Sequence, residues 1–274
     1  MDQERAPAKI NLALHVRARR SDGYHDLETL FYFIDIYDYL KVTDSPDISL
    51  NISGPLGASP ALAGDNLVLR AARLLAHVSG SSRGAALHLE KHIPLAAGLG
   101  GGSADAAATL RLLNRFWGLD WPIAKLQTLA AALGADVPAC LASRPQMGRG
   151  RGEILEALAG HGLEGAPILL VNPHIAMPTG PVFAGWDGQD RGPLLGLADS
   201  RNDLEAPAMR LGPVIGTVLD TLRAQAGAGL VRMSGSGATC FALFETEAAL
   251  EAAARQVAQA HPDWWVRAAH ILGG

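Results

Sequence analysis

Lys9 carries an ammonium and Asp136 a carboxylate, and the two side chains could either take part in a reaction or serve the structure. Polar and apolar residues alternate over Lys9–Val16, which predicts a half-buried strand with Lys9 and Asn11 on its polar face. A carboxylate and an ammonium could accept a hydroxyl proton and stabilise the charge that develops when a phosphoryl group is transferred. Two structural alternatives stand beside this interpretation: Lys9 as a solvated charge on an edge strand, and Asp136 as a helix cap within Gly134–Pro138.

A glycine-rich segment, residues 94–105, follows a predicted strand and opens an alanine-rich helix. The consecutive glycines 100–102 let the backbone approach a ligand where a Cβ would clash. The unpaired amides of a first helical turn attract anions, so the segment predicts a phosphate site. It is not a Walker A loop, and Ser103 stands where the dinucleotide fingerprint requires Gly or Ala. A flexible connector is the structural alternative.

The elements that position these residues are predicted from periodicity. Strands are expected at Lys9–Val16, Thr29–Ile36, Tyr39–Val42, Ile48–Ile52, Ala85–Ile93, Ile168–Val171 and Trp264–His270, with a hairpin over Leu230–Phe244. Helices are expected after a cap at Asp65 or Asn66 and at Ser103–Phe116, Pro122–Leu133, Leu204–Met209, Val214–Ala226 and Glu247–Gln259. Strands and helices cluster rather than alternate strictly, which favours an α+β fold over a doubly wound sheet.

The segment Gly98–Ala104 resembles the phosphate loop of the galactokinase, homoserine, mevalonate and phosphomevalonate (GHMP) kinase superfamily. Four further segments narrow the resemblance, in chain order Pro7–Leu12, Gly23–Leu27, Gly134–Pro138 and Met233–Thr239. As a set they are similar to the family in this superfamily that phosphorylates 4-diphosphocytidyl-2-C-methyl-D-erythritol in the non-mevalonate isoprenoid pathway. The five segments occur in order over most of the chain.

The resemblance implies a two-domain GHMP-kinase-like fold. Its N-terminal nucleotide domain would be ribosomal-S5-domain-2-like, and its C-terminal domain a ferredoxin-like α/β plait. We place the boundary near Gly152, with an ATP-binding and catalytic domain over residues 1–152 and a substrate-side domain over residues 153–274. The length of 274 residues is compatible with two domains, although one large domain is the alternative.

The resemblance also assigns roles, with Asp136 as the catalytic base and Lys9 as its electrostatic partner. ATP is the implied phosphate donor, with Asn66 and Lys91 near its base. The predicted phosphate loop consists of Pro94, Leu95, Ala96, Ala97, Gly98, Leu99, Gly100, Gly101, Gly102, Ser103 and Ala104. No paired carboxylates indicate a protein metal site, so Mg²⁺ is expected to arrive on the ATP phosphates. The structural alternatives are a helix cap for Asn66 and an exposed lysine for Lys91.

A cytidine-diphosphate-linked polyol is the implied substrate. Tyr24 can stack on its base and His25 can hydrogen-bond the edge of the base. The resemblance adds Phe183 as the opposite wall and Thr179 nearby, and Asn11 completes the predicted set; core packing is the alternative for Phe183. The implied reaction is phosphorylation of the 2-hydroxyl. Another GHMP kinase, of homoserine or mevalonate type, and a non-catalytic nucleotide- or RNA-binding module are the rival functions.

Composition limits the partners of the chain. Lys plus Arg is 23 and Asp plus Glu is 27, so the net charge of −4 offers no general attraction for nucleic acid. No apolar run approaches the ~20 residues that span a bilayer, and the N-terminus lacks the plan of a signal peptide. Cys140 and Cys240 lie in apolar stretches, which favours free thiols in a reducing compartment. We therefore expect a cytoplasmic enzyme, a monomer or homodimer, with no membrane or nucleic-acid partner.

Overall fold

The computed structural model describes residues 2–58, 66–158, 162–198 and 200–273. Strands and helices mix along these ranges without strict alternation, which confirms the predicted α+β class. The elements are β1 (Asp2–Arg19), β2 (His25–Thr43), β3 (Ile48–Ser53), α1 (Leu67–Ser79), β4 (Ala85–Glu90), α2 (Gly101–Phe116), α3 (Ile123–Leu133), α4 (Val137–Ala142), β5 (Gln146–Gly150), β6 (Ile154–Ala157), β7 (Pro167–Asn172), α5 (Thr179–Ala184), α6 (Glu205–Leu211), α7 (Val214–Arg223), β8 (Ala228–Met233), β9 (Cys240–Phe244), α8 (Glu247–Ala260) and β10 (Trp265–His270).

The chain forms two compact units, each built from separate segments. The first unit consists of Met1–Lys9, Ile36–Leu95 and Gly100–Ser143, and the second of Ile10–Asp35, Ala96–Leu99 and Arg144–Gly274. The strands β1 and β2 each contribute residues to both units, so neither unit is a continuous stretch of sequence. The boundary near residue 152, between the two domains that the resemblance implies, stays a prediction.

In the first unit, β4 pairs antiparallel with the second half of β2 and parallel with β3. The helices α1 and α2 pack against each other, and α2 also packs against α4. The buried face of α1 consists of Val68, Ala71, Ala72 and Leu75. Asn66 caps α1, because its side chain accepts a hydrogen bond from the Val68 amide at 2.9 Å. Asp65, the other predicted cap, lies outside the described residues.

In the second unit, the first half of β2 pairs antiparallel with β5, which pairs antiparallel with β6. A separate four-stranded antiparallel sheet has the order β10-β7-β9-β8. The helices α7 and α8 bury their apolar faces in the core of this sheet, where β7 contributes Leu169 and Val171. The hairpin and the terminal helix–strand pair that the sequence predicted therefore form one layered core.

Several predicted boundaries were wrong. The two strands predicted at Thr29–Ile36 and Tyr39–Val42 are one strand, β2. The strand predicted to reach Ile93 ends at Glu90, because the amides of His92 and Ile93 donate to Asp38 Oδ1 at 2.5 and 2.9 Å instead of continuing the sheet. The helix predicted over Val214–Ala226 ends at Arg223. The elements α5, β5 and β6 were not predicted, because four to six residues carry too little periodicity.

Within the described ranges, no helix combines the length and the apolar character that a bilayer crossing requires. Cys140 and Cys240 are both buried free thiols. Burial raises the pKa of each thiol, which keeps both cysteines protonated and unreactive.

Candidate active site

Lys9 and Asp136 lie in contact in the first unit, with Lys9 Nζ 3.0 Å from Asp136 Oδ2. The side chain of Lys9 is 5% exposed and that of Asp136 is 33% exposed. The edge-strand alternative for Lys9 is therefore wrong, because its ammonium is buried and paired with a carboxylate. A carboxylate that keeps one side open to solvent beside a fixed cation suits a proton acceptor for an incoming hydroxyl.

The helix that follows Asp136 explains why this carboxylate is free to face Lys9. The residue occupies the N-cap position of α4, and Pro138 lies in the first turn. Its side chain nevertheless makes no capping hydrogen bond, and its own backbone has helical angles of φ −85° and ψ −15°. The position is thus a helix start, as the sequence indicated, but the carboxylate is directed to Lys9 rather than to the helix amides.

The predicted phosphate loop ends in the helix start that the sequence indicated. Gly100 precedes α2 with φ +63°, and no side chain caps the helix. The first helical hydrogen bond runs from the Ala104 amide to Gly100 O at 2.8 Å, so the amides of residues 101–103 precede it. A Cβ built on Gly100 would lie 2.6 Å from Lys9 Cγ. The stem of Lys9 therefore packs directly on the glycine that opens the helix.

In the second unit, the residues Ala96–Leu99 of the loop pack against the turn between β8 and β9. Ser234 Oγ donates to Gly98 O at 2.8 Å, and the Thr239 amide donates to Ala97 O at 3.1 Å. A Cβ on Gly98, which has φ +77°, would lie 2.2 Å from Ser234 O. Ser234 Oγ also accepts from the Asn11 amide at 3.2 Å. The glycine-rich segment is therefore a fixed part of the fold, and the flexible-connector alternative is wrong.

Lys91 lies at the centre of a buried charge cluster in the first unit. Its ammonium, which is fully buried, contacts Asp38 Oδ2 and lies 2.7 Å from Asp105 Oδ2. Burial raises the pKa of the Asp105 carboxyl, and so does the nearby Asp38, while Lys91 opposes the shift. Asp105 Oδ1 is buried without a hydrogen-bond partner in the described part of the chain, which also favours the neutral carboxyl. A Cβ on Gly101 would lie 3.4 Å from Lys91 Nζ, so the ammonium lies beneath the start of α2.

Two of the predicted substrate residues, His25 and Phe183, form a cluster of rings with Trp186 in the second unit. The ring of Phe183 lies 5.2 Å from that of His25, and Trp186 contacts His25 edge-on at 5.8 Å. His25 Nε2 is buried and has no hydrogen-bond partner among the described residues. Burial lowers the pKa of His25, with Arg19 adding to the effect, so the imidazole is neutral at pH 7. A neutral ring nitrogen of this kind can donate or accept one hydrogen bond.

Tyr24 is 53% exposed, and the Arg151 guanidinium lies 4.9 Å from its ring centre. Arg149, two residues from Arg151, instead pairs with Glu156 at 2.9 Å. Arg151 thus contacts the ring of a predicted substrate residue, whereas Arg149 forms an ion pair with a residue of the neighbouring strand β6.

Comparisons with known proteins identify the family of the chain. The models of the GHMP kinases N terminal domain and the GHMP kinases C terminal match residues 66–144 and 188–263. A protein of Rhizorhabdus wittichii named 4-diphosphocytidyl-2-C-methyl-D-erythritol kinase is 55% identical over 96% of this chain and 92% of its own. A protein of the same name from Paramagnetospirillum magneticum is 46% identical over 97% of both chains.

The chain belongs to the 4-diphosphocytidyl-2-C-methyl-D-erythritol kinase family of the GHMP kinases. A crystal structure of 4-(cytidine 5'-diphospho)-2C-methyl-D-erythritol kinase matches all of this chain and all of its own with a TM-score of 0.82 and 38% identity. A mevalonate kinase structure matches with a TM-score of 0.73 at 13% identity, which shows the shared fold alone. The resemblance drawn from five sequence segments is confirmed.

The fold brings some of the predicted residues together. In the first unit Lys9 contacts both Asp136 and Gly100, and Lys91 lies under Gly101. In the second unit Thr179 Oγ1 lies 3.1 Å from Ser236 Oγ, and Asn11 Nδ2 donates to Thr29 Oγ1 at 2.7 Å. Asn66 caps α1, so its structural alternative is confirmed. The structural alternative for Lys91, an exposed lysine, is wrong, because its side chain is fully buried and its ammonium pairs with two carboxylates.

The sequence analysis assigned no role to Asp38, Thr29 or Asp105. Asp38 lies between Tyr37 and Tyr39 in β2 and is fully buried, and a buried carboxylate requires a polar partner. Asp105 lies one turn into α2, on its buried side. Nothing in the local sequence identifies their common partner Lys91, which is 53 residues from Asp38.

Proposed function

We propose that this chain is an ATP-dependent kinase that phosphorylates the 2-hydroxyl of 4-(cytidine 5'-diphospho)-2-C-methyl-D-erythritol in the non-mevalonate route to isoprenoids. The products are the 2-phosphate and ADP. One observation carries the proposal: Lys9 Nζ lies 3.0 Å from Asp136 Oδ2 while the stem of Lys9 packs on Gly100 at the start of α2. A base, a cation and a helix N-terminus are thus assembled within one compact unit. The names and similarity of the relatives supply the substrate.

In the proposed reaction, the substrate hydroxyl oxygen forms a bond to the γ-phosphorus of ATP as the bond between that phosphorus and the bridging oxygen breaks. The hydroxyl proton passes to the Asp136 carboxylate, and ADP leaves. Lys9, 3.0 Å from the carboxylate, orients it and stabilises the charge that develops on the transferred group. A positioned base of this kind contributes about 10²–10⁴ in rate.

The start of α2 fits a polyphosphate. The amides of residues 101–103 precede the first helical hydrogen bond and favour negative charge at this point. The Lys91 ammonium beneath Gly101 is already paired with Asp38 and Asp105, so it supports the start of the helix rather than adding a free positive charge. Among the described residues there is no group of three or more His, Cys, Asp or Glu side chains that could hold a metal ion. We propose that Mg²⁺ is carried by the ATP phosphates, whose charge it would neutralise, and that Ser103 supplies the hydroxyl that the loop could offer to a phosphate or to the ion.

The cytidine end of the substrate is assigned to the second unit. Tyr24 offers an exposed ring for stacking, and the neutral His25 has a buried Nε2 without a hydrogen-bond partner among the described residues, which is the atom we assign to the base edge. Phe183 supports His25 as the further aromatic wall. Thr179 and Asn11 complete the polar lining. An ATP-dependent kinase with two unreactive buried thiols suits a reducing compartment, and we place it in the cytoplasm.

The test is a coupled ADP-release assay on the purified chain. We expect turnover with the cytidine-diphosphate substrate and none with homoserine or mevalonate. Asp136→Asn should lower kcat by at least ~10²-fold, because the hydroxyl proton loses its acceptor. Equilibrium ATP binding, followed by calorimetry, should stay within a few-fold of the parent.

Three outcomes would overturn the proposal. Turnover of homoserine or mevalonate in place of the cytidine substrate would assign the chain to another GHMP activity. Near-normal kcat in Asp136→Asn would remove the carboxylate from the reaction. ATP binding without turnover of any of these substrates would instead favour a non-catalytic nucleotide-binding module.

A further inference from the structure

The helix that begins after Asp136 is short and is held at its far end by another element. With six residues, α4 has little helical stability of its own; in its last turn the Ala139 carbonyl accepts from the Ser143 amide at 3.0 Å, and the next two carbonyls accept from side chains. Arg111, on α2, donates from Nη1 to Cys140 O at 2.9 Å and to Leu141 O at 3.1 Å, and Ser143 Oγ also donates to Cys140 O at 2.6 Å. The Cys140 amide in turn donates to Asp136 O at 3.1 Å. The guanidinium is therefore one helical turn from the backbone of the proposed base.

The same guanidinium also holds the strand that carries Lys9. Arg111 Nη2 donates to Arg5 O at 3.0 Å, and Nε donates to Glu4 Oε1 at 2.9 Å. Glu4 and Arg5 belong to β1, which continues to Lys9. The side chains of Arg111 and Glu4 are 15% and 17% exposed, so solvent screens this pair less than an exposed ion pair. All of these residues belong to the first unit.

We infer that Arg111 is a positioning residue for phosphoryl transfer, which fixes β1 and α4 relative to each other and thereby keeps Lys9 Nζ in contact with Asp136. A planar guanidinium suits this task, because its donors have fixed directions that a lysine ammonium cannot reproduce. The inference rests on the proposed function, in which Lys9 and Asp136 act on the transferred group. A displacement of about 1 Å at a reacting centre can cost ~10²-fold in rate.

The test is a double-mutant cycle of Arg111→Met with Asp136→Asn. Arg111→Met should lower kcat by about 10–100-fold and leave the KM for ATP within about two-fold, because the change acts on the base and not on the nucleotide. In the Asp136→Asn background the same substitution should cost less than about three-fold, because the base it positions is already gone. A merely structural role would give the same loss in both backgrounds.

The matched control is Arg115→Met, one helical turn further along α2. Arg115 pairs with the same carboxylate, with Nη2 2.6 Å from Glu4 Oε2, and its side chain is 50% exposed. It has no hydrogen bond to α4, so its loss should leave kcat within about two-fold and show no coupling to Asp136. If Arg111→Met does not fold, Glu4→Gln enters the cycle in its place, since it removes the charge partner of the guanidinium and keeps the backbone contacts.

The outcomes separate the two claims. An additive cycle, or a folded Arg111→Met with kcat within about two-fold of the parent, overturns the positioning role and leaves the proposed function standing. Normal turnover in Asp136→Asn alone overturns the proposed function and this inference with it. Coupling to Asp136 that is seen for Arg111→Met and not for Arg115→Met supports both the positioning role and the proposed function.

Discussion

Because Gly100 has no Cβ, the side chain of Lys9 can pack against its backbone, and this contact helps to place the Lys9 ammonium. The aliphatic stem of Lys9 occupies the space that a Cβ would fill, 2.6 Å from Cγ and 2.8 Å from Cε. These atoms belong to a buried side chain whose ammonium is fixed by Asp136, so the stem has little freedom to withdraw. Glycine is required here for close approach as well as for the left-handed backbone at φ +63°.

Gly100→Ala should therefore reduce activity more than backbone strain alone explains. The added methyl group displaces the stem of Lys9 and moves its ammonium from Asp136, so we expect kcat to fall by about 10²-fold. The matched control is Gly118→Ala at the other end of α2, where φ is +66° and nothing lies within 4 Å of the added Cβ. In both variants alanine adopts a left-handed backbone conformation, which should lower the free energy of unfolding by about 1–2 kcal/mol. Urea unfolding of the two variants measures this loss. Equal kcat in the two variants would contradict the steric argument.

Residue types pointed to the contacting pair Lys9 and Asp136 better than to the residues that support this pair. Lys9 and Asp136 could be selected because their chemistry matches a phosphoryl transfer and both lie in segments that resemble a known family. Arg111 and Asp38 could not, because nothing in the local sequence distinguishes them from the other charged residues of α2 and β2. Their roles come from partners such as Cys140 O and Lys91 that only the tertiary fold brings near.

At the level of elements, the start of α2 rests on the buried cluster of Lys91, Asp38 and Asp105. Asp38 comes from β2, Lys91 follows β4, and Asp105 lies in α2. The single cation therefore joins three elements beneath the phosphate loop. Two carboxyls share one ammonium, and the raised pKa of Asp105 makes it the one that is more easily kept neutral.

Substitutions at Lys91 and at Asp105 should consequently lower the free energy of unfolding by different amounts. Lys91→Met leaves two buried carboxyls without a cation and should lower the free energy of unfolding by about 3–5 kcal/mol. Asp105→Asn should cost no more than about 1 kcal/mol, since an amide resembles the neutral carboxyl and leaves a one-to-one pair of Lys91 with Asp38. Urea unfolding monitored by circular dichroism measures both. Similar losses for the two variants would mean that Asp105 is ionised in the folded protein.

Long periodic elements were predicted from the sequence, and short ones were not. The helices α1, α2, α3 and α8 follow from apolar spacing because each has more than ten residues. The strand β5, by contrast, contains Gly148 and Gly150, and glycine is depleted in strands. The end of β4 was missed because a side chain, Asp38, replaces the backbone partners of two amides.

For the whole molecule, the order of motifs was predictable and the division into units was not. The five segments that carry the resemblance follow one another along the chain, and the relatives match it over nearly its full length. The units, however, are discontinuous, because β1 and β2 run through both and are paired by long-range hydrogen bonds. A boundary sought as one point along the sequence cannot describe such units.

The stability of the second unit should depend on pH through His270. This residue of β10 lies between two carboxylates, with Nε2 2.9 Å from Glu247 of α8 and Nδ1 3.2 Å from Asp35 of β2. The hydrogen bond to Glu247 and then that to Asp35 raise the pKa of His270 above its ordinary value of 6.5. The folded state therefore holds a proton that the unfolded chain releases, and the resulting stabilisation is present below pH 6.5 and is lost as the pH rises through the folded pKa.

His270→Gln should accordingly lower the Tm more at pH 6 than at pH 8, and the difference between variant and parent should shrink steadily between these values. Comparing the difference rather than the parent alone removes the opposite contribution of His15 and His25, whose pKa values burial lowers. Glu247→Gln should reproduce part of the effect. Glu251→Gln is the matched control, since it removes a charge one turn along α8 that pairs with Arg255. A Tm difference for His270→Gln that is constant with pH would show that the proton is not held by these carboxylates.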